Sequence, residues 1–150
     1  MAKLEDYLGN SQLDEAKKGH PDRDVVKAFG RGYFVDPSGK LYDIGAGKTH
    51  EEWASERNST VQELIDKGWT RIRNFHSPSM NYIQGDSDST NNIWYLVDLA
   101  EQVGKRRILF WVGRQRIELI KKNNEWETPD GRKIGEITES KIRTVPVIVA

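Results

Sequence analysis

Thr49-His50-Glu51-Glu52-Trp53 and Lys67-Gly68-Trp69-Thr70-Arg71-Ile72-Arg73 decide how this chain is read. Thr49 with Glu52 three residues on has the spacing of a capping box, in which each end satisfies the other's orphan amide. Asn58-Ser59 interrupts the run, and Thr60 with Glu63 repeats the box. The spacing predicts two short helices, about 50–57 and 60–67, with Val61, Leu64 and Ile65 forming an apolar face on the second. Gly68 stands where a helix ends on a left-handed residue. Trp69 to Phe75 then reads as a strand. Trp69, Arg71, Arg73 and Phe75 share one parity and Ile72 takes the other, so the buried face stays open.

Outward from that segment, Tyr33-Phe34-Val35 and Leu41-Tyr42-Asp43-Ile44 flank Asp36-Pro37-Ser38-Gly39-Lys40. Proline opening the turn and glycine closing it predict a hairpin. Thr128-Pro129-Asp130-Gly131-Arg132 repeats this grammar between Glu125-Trp126 and Lys133-Ile134. Met80 to Gln84 is expected to pair with the Trp69–Phe75 strand, and residues 85–92 to form a loop ending in helix-capping residues. Ile93, Leu96, Val97, Ala100 and Val103 form one helical stripe, stopped by Gly104. Arg107 to Val112 is apolar on both parities, which predicts a strand covered on both faces. Gly113-Arg114 turns it into Arg116–Ile120, and Lys141–Val149 supplies a last strand that Pro146 places at an edge or bulge. The expectation is a single α+β domain over residues 31–150, with a mainly antiparallel twisted sheet packed by two or three short helices. Residues 1–30 read as a polar arm. Within it Leu4, Tyr7, Leu8 and Leu13 can form one short amphipathic helix, and 24–29 another turn.

Composition narrows the function classes. The 150 residues carry 23 basic and 23 acidic side chains, so global charge argues neither for a nucleic-acid binder nor for an acidic mimic of one. The absence of cysteine removes disulfides, thiolate nucleophiles and cysteine-based zinc sites, and fits a reducing compartment. No apolar run approaches the roughly 20 residues of a membrane span. The N-terminus lacks the apolar core of a signal peptide. No membrane, metal or cofactor is expected.

His50 is the first candidate for chemistry. At a helix start the dipole favours its neutral form, which can act as a base, and Arg71 with Arg73 can hold an anion. The plainer reading is a histidine packed near the hairpin and bonded to backbone. His20 and His76 show no metal-ligand spacing. Gly45-Ala46-Gly47-Lys48-Thr49 resembles the end of a phosphate loop, but Tyr42 stands where the first glycine is required. Asp86 and Asp88 fall short of a calcium loop, which needs a sixth-position glycine and a closing glutamate. Lys105, Arg106, Arg107, Arg114, Arg116, Lys121 and Lys122, with Phe110 and Trp111 among them, can bind a single strand. The bland counterpart is a solubilising hairpin face with its aromatics in the core.

Tyr33-Phe34-Val35-Asp36-Pro37-Ser38-Gly39-Lys40-Leu41-Tyr42, then His50 and Trp53-Ala54, then Gly68-Trp69-Thr70-Arg71-Ile72-Arg73, form a pattern over residues 33–75. It resembles an uncharacterised domain of tailed-phage and prophage proteins, with a D-x-x-G hairpin followed by H-x-x-W/Y-A and G-W-x-R-x-R blocks. The resemblance implies phage origin and a place in the host cytoplasm or the virion. Some neighbours of such domains are small nucleases. Two functional expectations follow. One is a small phage structural or protein-interaction protein, a virion component or host-directed factor, and not an enzyme. The other is a metal-independent nuclease or RNA-binding domain using His50, Arg71 and Arg73, with the basic hairpin on the backbone.

Overall fold

In the computed structural model the described residues are 30–45, 47–139, 143 and 147–149. Residues 1–29 of the arm, with its helical stretches and His20, lie outside them, as do 141–142 and 144–146 of the last expected strand. Asp36 organises the first turn: its carboxylate accepts the Ser38 and Lys40 amides at 2.9 and 3.0 Å, and Gly39 takes a φ of 90°. The turn joins β1 (Gly30–Val35) to β2 (Lys40–Asp43).

Both capping boxes form. Thr49 and Glu52 open α1 (His50–Glu56), and Thr60 and Glu63 open α2 (Val61–Asp66). The two helices also end alike. Trp69 N–H returns to Leu64 O and Gly68 N–H to Ile65 O, while Ser59 N–H returns to Ala54 O and Asn58 N–H to Ser55 O. This paired-bond stop requires a left-handed residue, here Gly68 at φ 95° and Asn58 at φ 58°.

The chain then runs through β3 (Thr70–Phe75), β4 (Ile83–Ser87), a 3₁₀ turn at Thr90–Asn92 and α3 (Ile93–Val103). Next come β5 (Arg107–Val112), β6 (Gln115–Lys122), β7 (Glu125–Glu127), α4 (Ile134–Ile137) and β8 (Val147–Val149). The strands form one eight-stranded sheet in the order β7-β6-β5-β4-β3-β1-β2-β8. Only β2–β8 and β4–β5 are parallel, so the fold is α+β with a mainly antiparallel sheet, as expected.

Three expectations are corrected. Gly85-Asp86-Ser87 belongs to β4, because its amides pair with β3 and β5 on both sides; the loop begins only at Asp88. Lys133-Ile134 forms no return strand: one bridge, Glu127 to Lys133, closes the second turn and α4 starts at once. Val103 leaves the helical stripe and is 41% exposed. At about 100° per residue it stands about 80° round the helix from Ile93.

The sheet is packed on both faces. Side chains alternate along β1, so Val35 joins the α3 side with Leu41, Ile72, Ile83, Ile108, Phe110, Leu96 and Val97. Phe34 joins α1 and α2 on the other side with Ile44, Trp53, Ala54 and Leu64. β5 is buried on both parities, Ile108 and Phe110 on one and Leu109 and Trp111 on the other. Gly85 lets α3 sit close, since a Cβ there would come within 2.6 Å of Arg73 O and 2.9 Å of Leu96.

Candidate functional site

The capping box fixes His50 as the first residue of α1 and turns its ring toward β1. There Gly32 leaves room: a Cβ at that position would lie 3.1 Å from His50 Cε1 and 2.6 Å from Ile44 Cδ1. The imidazole is buried, meets the Phe34 ring edge-on at 4.8 Å, and places Nε2 2.9 Å from Tyr33 O. A carbonyl only accepts, so Nε2 carries the proton and, in the neutral ring, Nδ1 holds the lone pair. Burial lowers the imidazole pKa, and the positive charges of Arg73 and Arg71 lower it further against the opposing backbone bond.

Arg71 and Arg73 share that sheet face. Arg71 pairs across to Phe34 and Arg73 to Gly32, the residue under the His50 ring. The structure therefore brings the three sequence candidates together. Each guanidinium, however, already holds a carboxylate. Arg71 Nε and Nη2 bond Asp88 at 3.0 and 3.1 Å, and Asp88 also accepts the Arg71 amide. The Asp88 carboxylate, through those bonds, raises the Arg71 pKa. Arg73 Nε bonds Asp86 Oδ1 at 2.9 Å, its Nη2 takes the second oxygen, and the two residues face each other in the β3–β4 register. Both forks are filled in the manner that would otherwise receive a phosphate.

The two aspartates are the ion-pair partners of the candidate arginines that sequence reading missed. Arg71-x-Arg73 and Asp86-x-Asp88 have the same period of two and opposite chain direction, which is the signature of an antiparallel charge ladder. Around it, Ser87 Oγ donates to Arg71 O at 2.7 Å, and Asn92 Nδ2 reaches Thr70 and Ser87 at 3.0 and 2.8 Å. This knot ties β3, β4 and the start of α3. A shallow groove of about 410 Å³ lies nearby, lined by Lys48, Glu51, Glu52, Ser55 and Glu56, and it takes in none of the three candidates.

The basic hairpin is largely committed to the fold. Lys105 Nζ caps the carbonyls of Ser77 and Met80. Arg107 and Arg116 converge on Glu118 at 3.3 and 3.7 Å, and Lys122 lies 3.8 Å from Glu127. Arg106 donates to Lys121 O. Arg106, Arg114 and Lys121 have no carboxylate partner among the described residues. Phe110 and Trp111 are 0% and 2% exposed, so neither ring offers a base a stacking surface. His76 is half-buried, its pKa lowered by burial and by Lys105. Among the described residues no three His, Asp or Glu side chains gather to hold a metal ion, and no helix is long and apolar enough to cross a membrane.

No protein-family model, curated protein or solved structure matches the chain.

Proposed function

We propose that this chain is a small structural or protein-interaction protein of phage or prophage origin, acting in the virion or on a host component in the host cytoplasm. One observation carries the first half of this reading. The side chains with the chemistry for catalysis are withheld from a ligand: His50 is buried with its Nε2 proton on Tyr33 O, and Arg71 and Arg73 are filled by Asp88 and Asp86. A general base needs access to the proton it removes, and a phosphate clamp needs an unfilled fork. The sequence pattern of residues 33–75 supports phage origin.

The nuclease reading makes the opposite demand and is tested directly. Purified protein and a His50→Ala variant are incubated with labelled RNA and single-stranded DNA. Neither is expected to cleave or to bind in a salt-sensitive way. Cleavage by the parent protein that His50→Ala abolishes would overturn the proposal. Mass spectrometry of purified particles and of infected-cell pull-downs then places the protein, with recovery in one or the other expected.

A further inference from the structure

One face of the sheet is buried where no described helix packs on it. β1 begins at Gly30, and the cross-strand row that starts there runs through Phe75 of β3, Gln84 of β4, Leu109 of β5 and Glu118 of β6. Side chains in such a row share one face. The next row on that face carries Arg73, Asp86, Trp111 and Arg116. α1 and α2 pack on this face over Phe34, at the β1–β2 end of the sheet. α3 and α4 pack on the opposite face, with Ile83, Ile108 and Phe110. Yet Phe75 and Gln84 are 1% exposed, and Leu109 and Trp111 are 2% exposed. The burial takes in even Gln84 Oε1, a polar atom with no hydrogen-bond partner. Side chains in the middle of a sheet face reach that level only when a further layer lies over them.

We infer that the face around Leu109 and Trp111 is a docking surface and that its occupant is the N-terminal arm, residues 1–29 of this same chain. Three observations select the arm. These side chains are buried within a single chain, so no second molecule is needed to exclude water from them. The other end of the chain is engaged on the opposite face: Glu139 N–H bonds Thr90 Oγ1, and the Arg143 guanidinium lies over the Trp94 ring of α3. The arm also joins the fold at the right place. It meets β1 at Gly30, in the row that holds Phe75, and Leu109 is three strand spacings from there, about 14 Å. Its 29 residues span about 44 Å even at the short rise of a helix, enough to cross that distance and return. Leu4, Leu8, Leu13, Val25, Val26 and Phe29 give it the apolar side chains that burying Leu109 and Trp111 requires. The inference goes beyond the interaction reading above and does not depend on it.

The chain has no cysteine, so a single introduced one carries a spin label at a chosen position. The full chain is labelled at Ser11→Cys and, separately, at Ala16→Cys, and its indole N–H resonances are compared before and after the nitroxide is reduced. The Trp111 resonance is expected to lose intensity while the label is paramagnetic. Those of Trp94 and Trp126, which pack on the α3 side, should keep theirs. Isotope-labelled chain without a nitroxide, mixed with spin-labelled chain without isotope, should show no loss, because each arm covers its own sheet. In a Leu8→Asp/Leu13→Asp background, which changes only the arm, the loss at Trp111 should shrink and tryptophan emission should move to longer wavelength as that ring is hydrated. Unmoved Trp94 and Trp126 resonances would show that this variant keeps its fold. A Trp111 resonance undiminished at both label positions, or a loss that appears in the mixed sample, overturns the inference. So does a Leu8→Asp/Leu13→Asp protein whose Trp111 loss and emission match those of the parent.

Discussion

Arg73 lies directly across the β3–β4 ladder from Asp86, and its guanidinium grips both oxygens of that carboxylate. The pair sits at the centre of the sheet, beside the strand residue that seats His50. Its side chains are 30% and 11% exposed, against 36% and 31% for the neighbouring Arg71–Asp88 pair. The two rungs share chemistry and differ in solvation, and that difference orders their energetic weight.

Asp86→Ala strands a partly buried guanidinium and is expected to cost about 2–3 kcal/mol, while Asp88→Ala leaves a better-hydrated one and costs about 1 kcal/mol or less. Urea midpoints at neutral pH measure both. Equal losses would show that burial does not set the ranking.

Two strand glycines make room for different neighbours, and their substitution should separate. An added Cβ at Gly85 meets Arg73 O, a backbone atom that moves only with β3. At Gly32 the nearest atom is the tip of the Ile44 side chain, which can rotate. Gly85→Ala should therefore cost about 3 kcal/mol, and Gly32→Ala about 1 kcal/mol. In Gly32→Ala the His50 ring resonances should shift, because Cε1 is the next contact. An unshifted ring spectrum would remove Gly32 from the account of how His50 is seated.

Acid should destabilise the fold through the buried His50 and the half-buried His76. The His50 pKa is lowered from 6.5, first by burial and then by the arginine charges, and that of His76 is lowered by burial and Lys105. The unfolded chain then binds more protons than the folded one as pH falls through 6.5. Stability is complete above that value and declines below it, down to the folded pKa. Chemical denaturation across this range should show the decline, with His50→Gln and His76→Gln each removing part of the slope. A slope unchanged in both variants would refute the assignment.

The two helix stops offer a matched comparison. Gly68→Ala forces a Cβ into a left-handed backbone with Pro37 Cγ 3.3 Å away, and should cost about 1–2 kcal/mol. Asn58→Gly relieves the same backbone demand at φ 58° and should be neutral or stabilising by a few tenths of a kcal/mol. Thermal melts decide it: a destabilised Asn58→Gly protein would assign Asn58 a role its backbone geometry does not require.

Local signals were legible wherever the controlling interaction spans a few residues. Thr49–Glu52 and Thr60–Glu63 cap their own helices, Asp36 builds its own turn, and Gly68 and Gly104 stop the helices before them. The buried double parity of Arg107–Val112 was equally readable, since it needs only that both faces be covered. The Gly85–Ser87 strand was not, because serine, glycine and aspartate there have turn propensities that β3 and β5 override. The parallel crossover from β4 through α3 to β5 was also invisible. It depends on which strands become neighbours, and periodicity within a strand carries no such information.

The candidate site divides along the same line. That His50 begins a helix, and that Arg71 and Arg73 share a strand face, follow from the sequence alone, because capping and alternation are properties of adjacent residues. What those side chains bond was decided only by tertiary structure. Asp86 and Asp88 reach the arginines because β4 adds antiparallel to β3 in one register, and Tyr33 O meets His50 because Gly32 lets α1 close onto β1. Sequence supplies the chemical groups and their local geometry. Their pairing is a contest among all possible partners, settled by the packing of strands and helices that lie far apart along the chain.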